Sequence, residues 1–282
     1  MSASTSWRIN NGQKSALQAP IATCKRANAV MTIFERESTL AHAFRDAHAA
    51  INDADSSPFE TQVLLIDIRQ WRHTLPLATR LLDSAEAARV ARKRFDHDRE
   101  LLTLAYALHR LWLAQSLRCE PADVPLVRDE HGCPRVAGTG LHTSLSHSGT
   151  AIAIALSGIG AIGVDIEPAS RANGLLGLSD RICHPNELKA LNAMPGHVRE
   201  AALLRLWVRK EALLKAFGVG LMWEMSEFEA VDDVPINVIN NIEYNLQLHD
   251  INGNKSWASA VASVSGTSLR WGWLTPVDTV MD

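Results

Sequence analysis

The longest apolar stretch of the chain, residues 151–166, constrains the fold more than any other segment. It is interrupted by Ser157, Gly158, Gly160 and Gly163, so it falls short of the roughly 18 apolar residues that a membrane-crossing helix requires. Ala-Ile-Ala-Ile-Ala-Leu at 151–156 and Ile-Gly-Val-Asp-Ile at 162–166 are each of strand length, with turn-forming residues between them. The pattern predicts two buried strands joined as a hairpin through 157–160.

Other segments supply what would cover those strands. Leu101, Leu104, Ala105, Leu108, Leu111 and Trp112 recur at helical spacing and lay an apolar stripe along one face of a long helix. Glu120 and Pro121 are expected to end it. Ser84 is placed to cap a shorter helix over 86–94, and 185–220 reads as helical with a break at Pro195 and Gly196. A short helix is expected over 38–51, and strands over 63–68, 124–128 and 143–146. A C-terminal meander is expected over 244–249, 255–263 and 268–274, turning at Asn252-Gly253 and at Gly266. The order of strand, helices and strands, then helices and strands, follows a linker at 53–58. That order predicts an α+β protein of two related lobes, 61–165 and 166–282, behind a weakly ordered extension, 1–60.

Composition narrows the function classes. A chain of 282 residues that is 46% apolar can bury a sizeable core. Its net charge of −3 argues against a general nucleic-acid binder. Cys24, Cys119, Cys133 and Cys183 are widely spaced with no C-x-x-C pair, which suits a reducing cytosol and argues against a disulfide framework or a structural zinc. The first 34 residues hold no acid and four bases, Arg8, Lys14, Lys25 and Arg26. An organelle-targeting peptide shares that bias, but a disordered tail, or a true start at Met31, accounts for it more simply. A cytoplasmic protein without membrane attachment is expected.

Asp165 and Glu167 stand two apart on an expected strand, so their carboxylates share one face. Adjacent anions repel unless a cation sits between them, and a hard divalent ion, most simply Mg2+, suits such oxygen ligands. A strand whose polar face meets solvent would explain the same pair. On the helix Trp-Val-Arg-Lys-Glu-Ala-Leu-Leu-Lys at 207–215, Trp207, Glu211 and Lys215 share a face at i, i+4 and i+8, with Lys210 beside Glu211. A solvated Glu–Lys pair is the plainer reading of that helix alone. Gly158, Gly160 and Gly163 fit G-x-G-x-x-G, but a strand follows rather than a helix, so the match reads as a turn and not as a dinucleotide loop.

Taken together, the Asp-x-Glu strand and the Trp-x-x-Lys-Glu-Ala-x-x-Lys helix resemble the signature of the phosphopantetheinyl transferase superfamily. Ser144-Leu-Ser-His-Ser-Gly149 is similar to that family's Ser-His-Ser segment. Arg94, Phe95, Asp98 and Arg99, opening a long helix, resemble its N-lobe basic motif. The likeness spans roughly 63–275 and is sharp only at these motifs.

The resemblance implies the two-lobed monomeric, surfactin-synthetase-activating (Sfp-like) type: two pseudo-symmetric α+β lobes with coenzyme A and Mg2+ between them. It implies Asp165, Glu167 and Glu211 as metal ligands, Lys215 at the transferred phosphate, and Ser146 and His147 beside a phosphate of coenzyme A. Arg94 and Arg99 fall to the nucleotide phosphates, and Gly132 and Pro134 to the adenine pocket. Glu211 is the implied base for the accepting serine, with Lys210 as the alternative. Many relatives carry Gly-Lys-Pro where this chain has Gly132-Cys133-Pro134, so a cation is lost; either a neighbour such as His131 or Arg135 replaces it or affinity for coenzyme A is lower.

The implied activity is transfer of phosphopantetheine from coenzyme A to a serine of an acyl or peptidyl carrier protein of fatty-acid, polyketide or nonribosomal-peptide synthesis. A Mg2+-dependent nucleotide phosphohydrolase using the same carboxylates is the alternative, and a non-catalytic carrier-binding module a third reading. Carriers of this chemistry are typically acidic helical bundles. Residues 199–215 carry five bases (Arg199, Arg205, Arg209, Lys210, Lys215) against two acids (Glu200, Glu211), an excess that would steer such a partner, although a solvated helix face explains the same count equally well.

Overall fold

The structure is a computed structural model that describes residues 39–51, 61–218, 223–239, 242–251 and 255–276. The expected turn at Asn252-Gly253, the linker at 53–58 and the acid-poor segment 1–34 lie outside the described residues. Helix α1 (Thr39–Ile51) precedes strand β1 (Thr61–Asp67), and α2 (Leu75–Leu81), α3 (Ser84–Ala91) and α4 (Asp96–Leu117) follow. Strands β2 (Leu126–Arg128), β3 (Pro134–Val136), β4 (His142–Ser148), β5 (Ala151–Ser157) and β6 (Gly163–Pro168) come next. After a 3-10 segment (Ala169–Gly174) the chain forms α5 (Ser179–Ile182), α6 (Pro185–Asn192) and α7 (Gly196–Phe217). It ends in β7 (Pro235–Ile239), β8 (Ile242–Asp250), β9 (Trp257–Val264) and β10 (Leu269–Trp273). The architecture is α+β.

The apolar stripe of α4 is entirely buried: Leu101, Leu104, Ala105, Leu108, Leu111 and Trp112 all join the first core. Each such large side chain stabilises the fold by about 1.5–3 kcal/mol relative to exposure. The helix stops at Leu117, where Arg118 turns left-handed (φ 55°), ahead of the expected stop at Glu120 and Pro121. Helix α3 is capped by Asp83 and not by Ser84. The Asp83 carboxylate accepts from the Glu86 amide at 2.8 Å while the Asp83 amide donates to Glu86 Oε2 at 3.0 Å. This reciprocal box satisfies two amides that a helix start would otherwise leave open. Arg110 of α4 then donates to Glu86 (2.9 Å) and Asp83 (2.7 Å), tying the two helices together.

The strands form a sheet in the order β10-β1-β5-β4, a second in the order β6-β9-β8-β7, and the small pair β2-β3. The expected hairpin between 151–156 and 162–166 does not form. Both hydrogen-bonding edges of β5 are already taken, by β1 and by β4, so β6 has no edge of it to pair with. The chain instead passes from one sheet to the other between Ser157 and Gly163, and the G-x-G-x-x-G match is that crossing. The C-terminal meander is also interrupted. Strand β9 is flanked by β6 and β8, and β10 returns to the first sheet, parallel to β1. Trp273 packs in the core between sheets, whereas Trp271 is exposed.

Strand β5 has two unlike faces. Ile152, Ile154 and Leu156 meet the helices, while Ala151, Ala153 and Ala155 meet Val164, Ile166 and Val261 of the second sheet. The small alanine face lets the sheets approach closely. Helix α7 comes equally close to β6. A Cβ at Gly163 would lie 1.9 Å from the Ala212 carbonyl oxygen and 2.5 Å from the Ala216 nitrogen, so only glycine fits there. That contact sets residues 211–215 of α7 against the acidic strand.

Candidate active site

The edge strands of the two sheets, β4 and β6, meet through side chains. The alternation Ser-Leu-Ser-His-Ser puts Ser144, Ser146 and Ser148 on one face of β4. Ser144 Oγ accepts from the Val164 amide (3.1 Å), Ser146 Oγ donates to Asp165 Oδ1 (2.7 Å), and Ser148 Oγ donates to Glu167 Oε2 (2.5 Å). Three hydroxyl rungs thus fix the acidic strand where α7 crosses it.

A cavity of about 280 Å³ opens at this junction, lined by Leu145, Ser146, His147, Asp165, Glu167, Trp207, Glu211 and Lys215. Lys215 Nζ donates to Asp165 Oδ1 (2.6 Å) and to the Val164 carbonyl (3.0 Å). Oδ1 therefore takes two donors, while Asp165 Oδ2 is buried and has no partner. Burial, reinforced by the charges of Asp165 and Glu167, pushes the Glu211 carboxyl up to about 7, against the pull of Lys215 and Arg171. Burial also raises Glu167, and the Ser148 hydrogen bond opposes it. Burial lowers His147 to about 4, with Lys215, Lys93 and Arg128 adding to the effect, so its ring is neutral at ordinary pH. Among the described residues, no group of three or more His, Cys, Asp or Glu is arranged to hold a metal ion.

Of the residues singled out from the sequence, Ser146, His147, Asp165, Glu167, Glu211 and Lys215 line this one cavity. Lys210 does not. It lies on the opposite side of α7, fully buried, bonded to Glu187 Oε2 and the Met225 carbonyl (2.6 Å each) and to the Phe228 carbonyl (2.7 Å). Every donor of its ammonium is used there, so it has no route to the cavity as a base. Gly132 (φ 81°) sits in the β2–β3 turn and Pro134 opens β3, both outside the lining. Arg94 and Arg99 also lie outside it. Arg94 rests over the exposed Phe95 ring, and Arg99 donates to the Lys93 (2.6 Å) and Arg94 (3.2 Å) carbonyls and to Asp96.

The basic excess of α7 is smaller on the surface than in the sequence. Arg209 is paired with Asp250, Lys210 with Glu187 and Lys215 with Asp165, and Arg199 is tied to the Asn192 and Met194 carbonyls. Arg205 remains exposed.

Two contributors escaped the sequence reading. Ser148 was visible in the alternation, but its role depends on β6 lying alongside. Arg171 sits in the 3-10 segment after β6, which no periodicity announces. Its Nε lies 3.3 Å from Glu167 Oε1, and its guanidinium lies 5.3 Å from the centre of the Trp207 ring.

Residues 161–270 match the family model of the 4'-phosphopantetheinyl transferase superfamily. The 4'-phosphopantetheinyl transferase HetI of Nostoc sp. is 33% identical over 144 residues, covering 50% of this chain and 61% of that protein. The 4'-phosphopantetheinyl transferase AcpT of Salmonella typhi is 36% identical over 118 residues, covering 40% of this chain and 61% of that protein. The chain spans about three fifths of the length of the curated relatives it matches.

Proposed function

We propose that this chain, whose residues 161–270 match the family model of the 4'-phosphopantetheinyl transferase superfamily, moves the 4'-phosphopantetheine group of coenzyme A onto a serine of an acyl or peptidyl carrier protein. The products are holo-carrier and adenosine 3',5'-bisphosphate. The observation that carries the reading is the meeting of Asp165, Glu167, Glu211 and Lys215 in one cavity where strand and helix cross. Two pseudo-symmetric lobes, 61–165 and 166–282 except that β10 pairs with β1 in the first sheet, and a cytoplasmic monomer, belong to the same proposal. Among the described residues, no helix is long and apolar enough to cross a membrane.

Asp165, Glu167 and Glu211 line one cavity without the spacing of a formed metal centre, but their chemistry suits a hard divalent cation. The donor set is all carboxylate oxygen, and it includes a buried Asp165 oxygen without a partner. Asp165, Glu167 and Glu211 would hold Mg2+, which when bound supplies charge neutralisation at the pyrophosphate oxygens.

The protein's own groups do the rest. Glu211, on α7 at the cavity wall one turn before Lys215, is the carboxylate placed to accept a proton. It takes the hydroxyl proton of the carrier serine as the serine oxygen attacks phosphorus. The new P–O bond forms while the phosphoanhydride P–O bond breaks, and the bisphosphate leaves with that electron pair. Lys215 offers its ammonium to the phosphoryl oxygens as the charge redistributes. His147, neutral at ordinary pH, serves coenzyme A as a hydrogen-bond donor rather than as a charge. Lys210 has no part in the chemistry.

Incubation with coenzyme A, Mg2+ and an apo-carrier, followed by mass spectrometry of the carrier, tests the reading. A phosphopantetheine-sized gain is expected, and no gain on any of a panel of carriers would refute it. The relatives' names give the phosphohydrolase alternative no support. That alternative also predicts phosphate release without a carrier, which the same incubation would reveal.

A further inference from the structure

Arg171 takes no part in the chemistry proposed above, yet its surroundings are specific. Glu167 is held at both oxygens, Oε2 by Ser148 (2.5 Å) and Oε1 by Arg171 Nε (3.3 Å). The guanidinium is itself fixed from the other side, with its carbon 5.3 Å from the centre of the Trp207 ring. A planar cation over an indole face is a favourable arrangement that an ammonium reproduces less well. Trp207 stands one helical turn before Glu211 and lines the same cavity. Arg171 therefore bridges the two elements that carry the three carboxylates: it touches the last acid of β6 and stacks on the first cavity residue of α7. Its side chain is 44% exposed.

We infer that Arg171 is a positioning residue for the divalent-cation site, holding Glu167 Oε1 through a guanidinium stacked on Trp207 so that Glu167 faces the cavity beside Asp165 and Glu211. The inference rests on the proposed function. Carboxylates that ligate metals depend on outer partners for their direction, and losing one such partner typically lowers metal affinity or activity about 10–100-fold. A half-exposed ion pair is screened by solvent and competes only weakly with a cation for the carboxylate. Orientation therefore outweighs competition, and removing Arg171 weakens the site.

The test reads metal affinity apart from turnover. Mn2+ binding to the full chain, followed by electron paramagnetic resonance of the free ion, is compared for wild type, Arg171→Ala and Arg171→Lys. Thermal unfolding serves as the folding control. In Arg171→Ala the Mn2+ dissociation constant is expected to rise about ten-fold or more. The Mg2+ concentration for half-maximal transfer should rise in step, while KM for coenzyme A and kcat at saturating Mg2+ stay near wild type. Arg171→Lys keeps the charge and loses the stacked plane, so it should fall between the two. Unchanged Mn2+ binding in folded Arg171→Ala overturns the inference, and so does tighter binding, which a merely competing charge would produce. A wild-type chain that binds Mn2+ but transfers nothing would sink the proposed function and leave the Mn2+ comparison to decide the inference. A wild-type chain that binds no Mn2+ overturns the inference directly.

Discussion

Replacing Gly163 by alanine adds one carbon at the tightest contact among the described glycines. The new Cβ would stand 1.9 Å from the Ala212 carbonyl oxygen, about 1.5 Å short of an ordinary contact near 3.4 Å. Both obstructing atoms belong to the α7 backbone, so no side-chain rotation relieves the clash. Strand β6 and helix α7 must separate, and overpacking of this kind costs about 3 kcal/mol, the upper end of the usual range. For a domain of this size that loss lowers Tm by on the order of 6 °C or more. The same shift reaches the cavity. Glu211 and Lys215 flank the contact, and Lys215 Nζ now lies 2.6 Å from Asp165 Oδ1, so a displacement above 1 Å breaks that bond. Misplacement of reacting groups by about 1 Å can cost about 100-fold in rate. Urea unfolding followed by circular dichroism gives the first quantity, and carrier modification at saturating coenzyme A gives the second. A variant with wild-type midpoint and wild-type rate would refute the close-approach account of the site.

The remaining expectations concern single groups. Glu211→Gln keeps the shape and removes the proton acceptor, so transfer should fall at least about 100-fold while the fold survives. Because burial raises this carboxyl from 4.5 to about 7, the native state holds the proton more tightly than the unfolded chain. The associated stability is full below 4.5 and lost as pH rises through about 7. Glu211→Gln should therefore gain stability over wild type as pH increases across that window in metal-free urea titrations. Lys210→Met leaves Glu187 buried without its cation and should destabilise the protein by about 3–5 kcal/mol, while kcat per folded molecule, measured well below the lowered Tm, stays near wild type. Burial depresses His109 to about 3 and His48 to about 4, both from 6.5. Below 6.5 the unfolded chain takes up protons that the folded chain refuses, so stability should fall as pH drops from 6.5 toward 4. A His109→Gln variant should show a shallower fall.

The chemistry of the cavity was more legible than the fold around it. Asp165 and Glu167 share a face because strands repeat every two residues, and Trp207, Glu211 and Lys215 share one because helices repeat near four. Both are local rules, visible in a short window of sequence. Strand partnership is not local. The pairing of Ala151–Ser157 with β1 and β4, rather than with Gly163–Pro168, depends on which edges other strands occupy, and β1 lies well before it in the chain. Lys210 and Lys215 look alike in sequence, five residues apart on one helix. Only the folded chain shows that the first is enclosed by Glu187 and two carbonyls while the second faces Asp165. Ser84 lost the cap to Asp83 because Asp83 stands three residues before Glu86, the spacing that a reciprocal box needs.

The return of β10 to the first sheet has a consequence for how the molecule is made. Thr61 pairs with Leu269, and the Trp71 indole donates to the Leu274 carbonyl at a separation of 203 residues. A ribosome delivers β1 long before it delivers that partner, so one edge of β1 waits bare through the synthesis of everything between. Pairings of such long range are slow to form and leave unpaired edges open to aggregation meanwhile. Nascent chains halted ahead of Leu269 should therefore be unusually sticky and rely on chaperones, and release of the last strand should bring the protection that the earlier segments cannot give themselves.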